Sequence, residues 1–70
     1  MPEIKIDHYD RGIISFLGEK GESSTNQIAY GADFSWATTI KHLRKLKRYG
    51  FVLSDVKRKK TYWRLKFKSR

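Results

Sequence analysis

At 70 residues the chain has room for one domain with a compact, local core, because a domain of this size buries only about 60% of its unfolded surface. The absence of cysteine excludes disulfide staples, thiolate metal ligation and a cysteine nucleophile, leaving ten Phe, Tyr and Trp to supply much of the packing. The net charge of +9 is unevenly spread: residues 1–35 carry three Lys and Arg against six Asp and Glu, whereas residues 36–70 carry thirteen against Asp55 alone.

Residues 1–6 read as an arm or a short edge strand, with Ile4 and Ile6 alternating around Lys5. Asp7 or Asp10 caps a first helix over 9–20, which presents Ile13, Ile14 and Leu17 on one face and stops at Gly21. Gly12 and Gly18 each weaken it by ~1 kcal/mol relative to alanine, or mark a close approach between helices. Ser23, Ser24 and Thr25 offer caps for a second helix over 25–32, with Ile28, Ala29 and Ala32 as its inner stripe. Ser35 caps a third over 36–49, in which Thr39, Leu43 and Leu46 recur at spacings of four and three and Ile40 widens the stripe. Gly50 breaks it.

The period then changes to alternation. Residues 51–67 read as a hairpin of two strands, Phe51 to Asp55 and Thr61 to Phe67. Trp63, Leu65 and Phe67 face inward, Tyr62, Arg64 and Lys66 outward, and Lys57 to Lys60 make the turn. Three helices and a two-stranded ribbon give an α+β fold in a single domain spanning 1–70.

The segment from Thr25 to Val52 resembles the helix-turn-helix of winged-helix transcription regulators, especially small archaeal ones of the broad MarR and ArsR type. Ala29 permits close helix crossing, Phe34 fills the turn, Ser35 precedes the third helix, and Leu43 and Leu46 anchor it. Gly50 then leads into the apolar run Phe51-Val52-Leu53, and the basic hairpin is similar to a wing. Two departures stand out: Thr39 replaces a branched aliphatic residue, and no glycine lies between Lys57 and Lys60. The lysine-rich, cysteine-free brevity is also similar to regulators of archaeal viruses and plasmids.

The resemblance implies a sequence-specific regulator bound to double-stranded DNA. The third helix would occupy the major groove, presenting Trp36, Ala37, Thr38, Lys41, His42 and Lys45. Ser24, Thr25, Tyr30 and Ser35 would meet phosphates around the helix N-termini. Lys57, Arg58, Lys59, Lys60 and Arg64 would follow the backbone or the minor groove. A half that is almost purely basic repels itself without an anionic partner, and polyphosphate supplies one.

Other readings attach to the same residues. Arg44, Lys47 and Arg48 form a solvated face or join the interface; Trp36 is a DNA contact or a staple; Trp63, Leu65 and Phe67 are core or a platform for single strands. His8 and His42 read as surface residues, because two lone histidines without cysteine or a clustered carboxylate make no metal site. No catalytic constellation is evident, so no enzyme activity, cofactor or small-molecule ligand is expected. No stretch approaches the ~20 apolar residues of a membrane span and no signal-peptide layout opens the chain, so an intracellular, cytoplasmic, nucleoid-associated protein is expected. Rival partners are structured RNA or another protein. Only Lys68-Ser69-Arg70 follow the last strand, and the charge opposes self-association, so a monomer in solution is expected, with any pairing confined to DNA.

Overall fold

A computed structural model describes residues 5–66, so Ile4 of the expected arm and Phe67 of the expected second strand lie outside the described residues. The order of elements is α1 (His8–Lys20), β1 (Ser23–Ser24), α2 (Thr25–Ala32), α3 (Trp36–Arg48), β2 (Val52–Lys57) and β3 (Lys60–Leu65). Three helices thus stand beside an antiparallel sheet of order β1-β3-β2.

Each helix begins where a short polar side chain replaces the missing backbone acceptor. Asp7 caps α1 and Asp10 completes the box: Asp10 N–H donates to Asp7 Oδ1 at 3.0 Å, and Asp7 N–H donates to Asp10 Oδ2 at 3.1 Å. Ser24 and Gln27 repeat the device on α2, at 3.2 and 2.8 Å. Ser35 caps α3 by accepting from Thr38 N–H at 3.2 Å, and it donates its own proton to Thr38 Oγ1 at 2.9 Å. Thr39 is fully buried, and its hydroxyl donates to the Ser35 carbonyl at 2.9 Å. A threonine therefore sits in the core without an unsatisfied polar atom, which accounts for the departure noted at that position.

The core joins all three helices to the sheet: Ile13 and Leu17 from α1, Ile28 from α2, Leu43 and Leu46 from α3, Val52 from β2 and Trp63 from β3. Ile6, Ile14, Phe16, Phe34, Ile40 and Leu65 pack around it. Trp63 Nε1–H donates to Thr25 Oγ1 at 2.9 Å, which ties α2 to the hairpin inside the protein. Gly31 lets α1 and α2 approach closely, since a side-chain carbon there would overlap the Phe16 ring. Phe34 fills the turn between α2 and α3 and meets Tyr9 edge-on, with ring centroids 4.9 Å apart.

The sheet departs from expectation in two ways. Ser23 and Ser24, expected only as caps, also pair with Trp63 and Tyr62, adding a third strand to the predicted ribbon. At the tip the hairpin strands run further than expected, to a closing pair Lys57↔Lys60 around a two-residue turn, whereas β3 ends at Leu65, short of the expected Lys66. Arg58 and Lys59 both have positive φ, 51° and 68°, the conformation that two-residue hairpins need and that glycine or asparagine usually supplies. Phe51 precedes β2; its N–H closes α3 on the Leu46 carbonyl at 2.9 Å.

Candidate nucleic-acid interface

Consecutive side chains of α3 point about 100° apart, so the helix sorts its polar residues by face. Thr39, Leu43 and Leu46 go inward, while Trp36, Ala37, Lys41, Arg44, Lys47 and Arg48 are exposed. Trp36, Ile40 and Arg44, each four apart, share one stripe. That stripe borders a cleft of about 340 Å³, which Ser24, Thr25 and Asn26 from the start of α2 and Lys59, Lys60 and Thr61 from the hairpin also line. Five expected contact residues (Ser24, Thr25, Trp36, Lys59 and Lys60) are therefore brought together around one opening. The bare pattern left Asn26, Ile40 and Thr61 out and Arg44 undecided; the i, i+4, i+8 spacing from Trp36 to Arg44 is the signal that would have placed Arg44 there.

Other expected contacts remain on the outer surface. Tyr30 is 91% exposed on α2. Lys41 and Ala37 are exposed on α3, Ser35 and Thr38 sit at its start, and Arg58 is exposed at the hairpin tip.

Five expected contacts are used differently. Thr25 is buried and its hydroxyl already accepts from Trp63, so its side chain points into the protein. His42 and Lys45 turn toward α1, drawn by Asp10, a carboxylate with no exposed surface. His42 Nδ1–H donates to Asp10 Oδ1 at 2.9 Å, and Lys45 Nζ donates to Asp10 Oδ2 at 2.6 Å. A buried charge needs such partners, and α3 supplies both from adjoining turns. Lys57 lies 2.9 Å from Glu22 and lines a separate cleft of about 560 Å³ with Asp55, Arg64 and Leu17; Arg64 therefore also sits on that side, away from the α3 stripe.

His42 is accordingly no plain surface residue. Its ring stacks on Tyr9 at 5.2 Å, and Asp7 Oδ1 lies 3.8 Å from Nδ1, so two carboxylates gather around a histidine that looked isolated in the sequence. A metal ion would have to enter beside the Lys45 ammonium that already holds Asp10. The group works as an ion-pair network fastening α3 to α1. Its charges respond accordingly. The Asp10 hydrogen bond is the main cause holding the Lys45 ammonium above its ordinary value, and Asp7 is held below the usual carboxylate range chiefly by the Asp10 N–H it accepts. The Glu22 hydrogen bond likewise raises Lys57.

The remaining cations are differently placed. Among the described residues no carboxylate pairs with Lys41, Arg44, Arg48, Arg58, Lys59 or Lys60. Arg44, Lys59 and Lys60 line the 340 Å³ cleft, whereas Lys41 and Arg48 border another recess on α3 that also holds Asp7. Trp63, by contrast, is buried, and so offers no platform for single strands. Among the described residues no helix is long and apolar enough to cross a membrane.

Residues 6–52 match the family described as winged helix-turn-helix DNA-binding. No curated protein matches. Among solved structures, the chain is similar to the Zalpha domain of PKZ from Carassius auratus, in complex with Z-DNA: 30% identity over 81% of this chain and 90% of that domain, TM-score 0.74. It is also similar to the homodimeric winged helix-turn-helix DNA-binding domain of a possible ArsR-family transcriptional regulator from Mycobacterium bovis, with 24% identity over 84% of this chain and 54% of that one, TM-score 0.78. A mutant of ZitR from Lactococcus lactis gives 24% identity over 93% of this chain and 46% of that one, TM-score 0.80. The chain thus spans about half the length of these last two solved chains, the first of them a fragment of residues 1–100, and their likeness to it is one of fold.

Proposed function

The chain belongs to the winged helix-turn-helix DNA-binding family, and from that premise we propose that it is a transcription regulator that binds double-stranded DNA with sequence preference. The observation that carries this reading is the set of unpaired cations on α3 and the hairpin tip around a cleft without a carboxylate. In the proposed complex α3 lies in the major groove. Trp36, Ala37, Thr38 and Lys41 meet base edges, Lys41 reaching guanine O6 and N7 and Ala37 a thymine methyl. Ser24, Ser35, Tyr30 and Arg44 hold phosphates on either side, and Arg58, Lys59 and Lys60 follow the backbone beside the groove. Lys57 and Arg64 would act only at the edge of such a contact. The net charge of +9 keeps free chains apart, so the binding unit in solution is one chain.

The likeness to a domain solved with Z-DNA supports a second reading, in which the preferred duplex is left-handed. One experiment separates the readings. Selection from random duplexes at fixed salt should enrich a motif, and that motif should outcompete both alternating CG duplex and double-stranded RNA. Preference for the CG duplex, with inversion of its circular dichroism on binding, would favour the left-handed reading. Tighter binding to RNA would overturn both.

A further inference from the structure

We propose that the cleft between α2, α3 and the hairpin tip is a pocket for an unstacked nucleotide, so that the protein prefers nucleic acid carrying an exposed base. This rests on the reading of the same surface as a nucleic-acid interface and adds to it the state of the base that is bound.

Three observations converge. The first is charge: Arg44, Lys59 and Lys60 line the cleft, none has an acidic partner among the described residues, and no carboxylate is in the lining. The 560 Å³ cleft on the other side of the hairpin holds Glu22 and Asp55, and its Lys57 is already paired. An anion is therefore suited to the first cleft and not to the second.

The second observation is the apolar wall. Trp36 is 53% exposed and Ile40 half-buried, both on the stripe that carries Arg44. The other tryptophan, Trp63, spends its ring on the core and its N–H on Thr25. A phosphate alone would make no use of an indole face. A base inside a duplex presents only its edge, because its faces are covered by its neighbours. A base that has left the stack offers the face an indole can cover, and that contact tolerates any sequence because every base has one.

The third observation is shape. Three elements supply the lining, giving a recess of about 340 Å³. That lies at the lower end of the ~300–1,000 Å³ range of small-ligand sites. Ser24, Asn26 and Thr61 add polar groups at its border, able to bond a sugar or a base edge. The ligand chemistry is thus a flat apolar ring joined to a phosphate.

The test uses three probes at fixed salt: an intact duplex, the same duplex with one unpaired thymidine, and its single strand. Binding is read by anisotropy and by tryptophan emission. The bulged duplex should bind about five-fold or more tighter than the intact one, the lower bound for one base–aromatic stack, with quenching of the emission. Trp36→Ala should collapse that ratio toward one, and Trp36→Phe should retain most of it while abolishing the quenching. A single strand binding as tightly as the bulged duplex would support the pocket and assign single strands as its source. Equal affinity for bulged and intact duplex, or an equal loss on both with Trp36→Ala, would overturn the pocket while leaving duplex binding in place. Failure to bind any duplex or strand would overturn the interface itself. Circular dichroism of both variants checks that they fold.

Discussion

Lys45 reaches from the last turn of α3 to place its ammonium 2.6 Å from the carboxylate of Asp10, which has no exposed surface in α1. One helical turn of α3 thus divides its labour: Lys45 holds the fold together, while Lys41 and Arg44 remain unpaired on the outside. Removing one partner of a buried pair leaves the other charge uncompensated. Asp10→Ala should therefore cost about 3 kcal/mol by thermal or urea unfolding. Lys45→Ala should also lower stability yet leave the salt slope of DNA binding unchanged, whereas Arg44→Ala should lower that slope by about one. A slope change of one unit with Lys45→Ala would return Lys45 to the DNA-facing set.

Asp7 gives the fold a dependence on acid. Its carboxyl is held below the usual range, chiefly by the Asp10 N–H at the start of α1. A group whose pKa is lower in the folded state contributes stability above its unfolded value of about 3.9, and that contribution is lost as pH falls through the folded value. Asp7→Asn keeps a capping oxygen but does not titrate. The stability advantage of wild type over Asp7→Asn, measured by thermal melts, should shrink as the pH falls below about 4.

Two glycines should respond in opposite ways to the same substitution. At Gly18 a new methyl would lie 3.7 Å from Leu65, an ordinary contact, so Gly18→Ala should gain up to about 1 kcal/mol of helix propensity. At Gly31 the methyl would overlap the Phe16 ring, so Gly31→Ala should lose about 1–3 kcal/mol despite the same gain in propensity. A urea midpoint that rises with Gly31→Ala as it does with Gly18→Ala would contradict the close approach of α1 and α2.

The hairpin tip carries its own conflict. Lys59 sits at φ 68°, a conformation that costs a side-chain-bearing residue ~1–2 kcal/mol, against ~0.5–1 kcal/mol of extra backbone entropy for glycine. Lys59→Gly should thus raise Tm by a few degrees while weakening DNA binding. Binding and stability falling together would mean that the turn is not strained.

The helices were legible because their signals are local. Ser24 and Ser35 mark two starts, and Leu43 and Leu46 at helical spacing mark the buried face of α3. The start of α1 was ambiguous for a physical reason: Asp7 and Asp10 bond reciprocally, so both look like caps. β1 has two residues, too few to alternate, and exists only through pairing with β3. The turn was legible as Lys57 to Lys60, but its two-residue form carried no sign, because Arg58 and Lys59 adopt a backbone that lysine and arginine rarely supply. In the site, the basic character of α3 was plain, but which cation faces outward was not. Neighbouring positions differ by about 100°, and the residue that draws Lys45 and His42 inward lies more than thirty positions away.

The central claim is that the unpaired cations of α3 and the hairpin neutralise the phosphates of a duplex. Its most direct test is the affinity for one duplex over a range of salt concentrations. Roughly six neutralised phosphates should give a fall of log K with log salt at a slope near −5. A slope shallower than about −2 would contradict the claim, since the surface around Arg44, Lys59 and Lys60 would then not be where the nucleic acid lies.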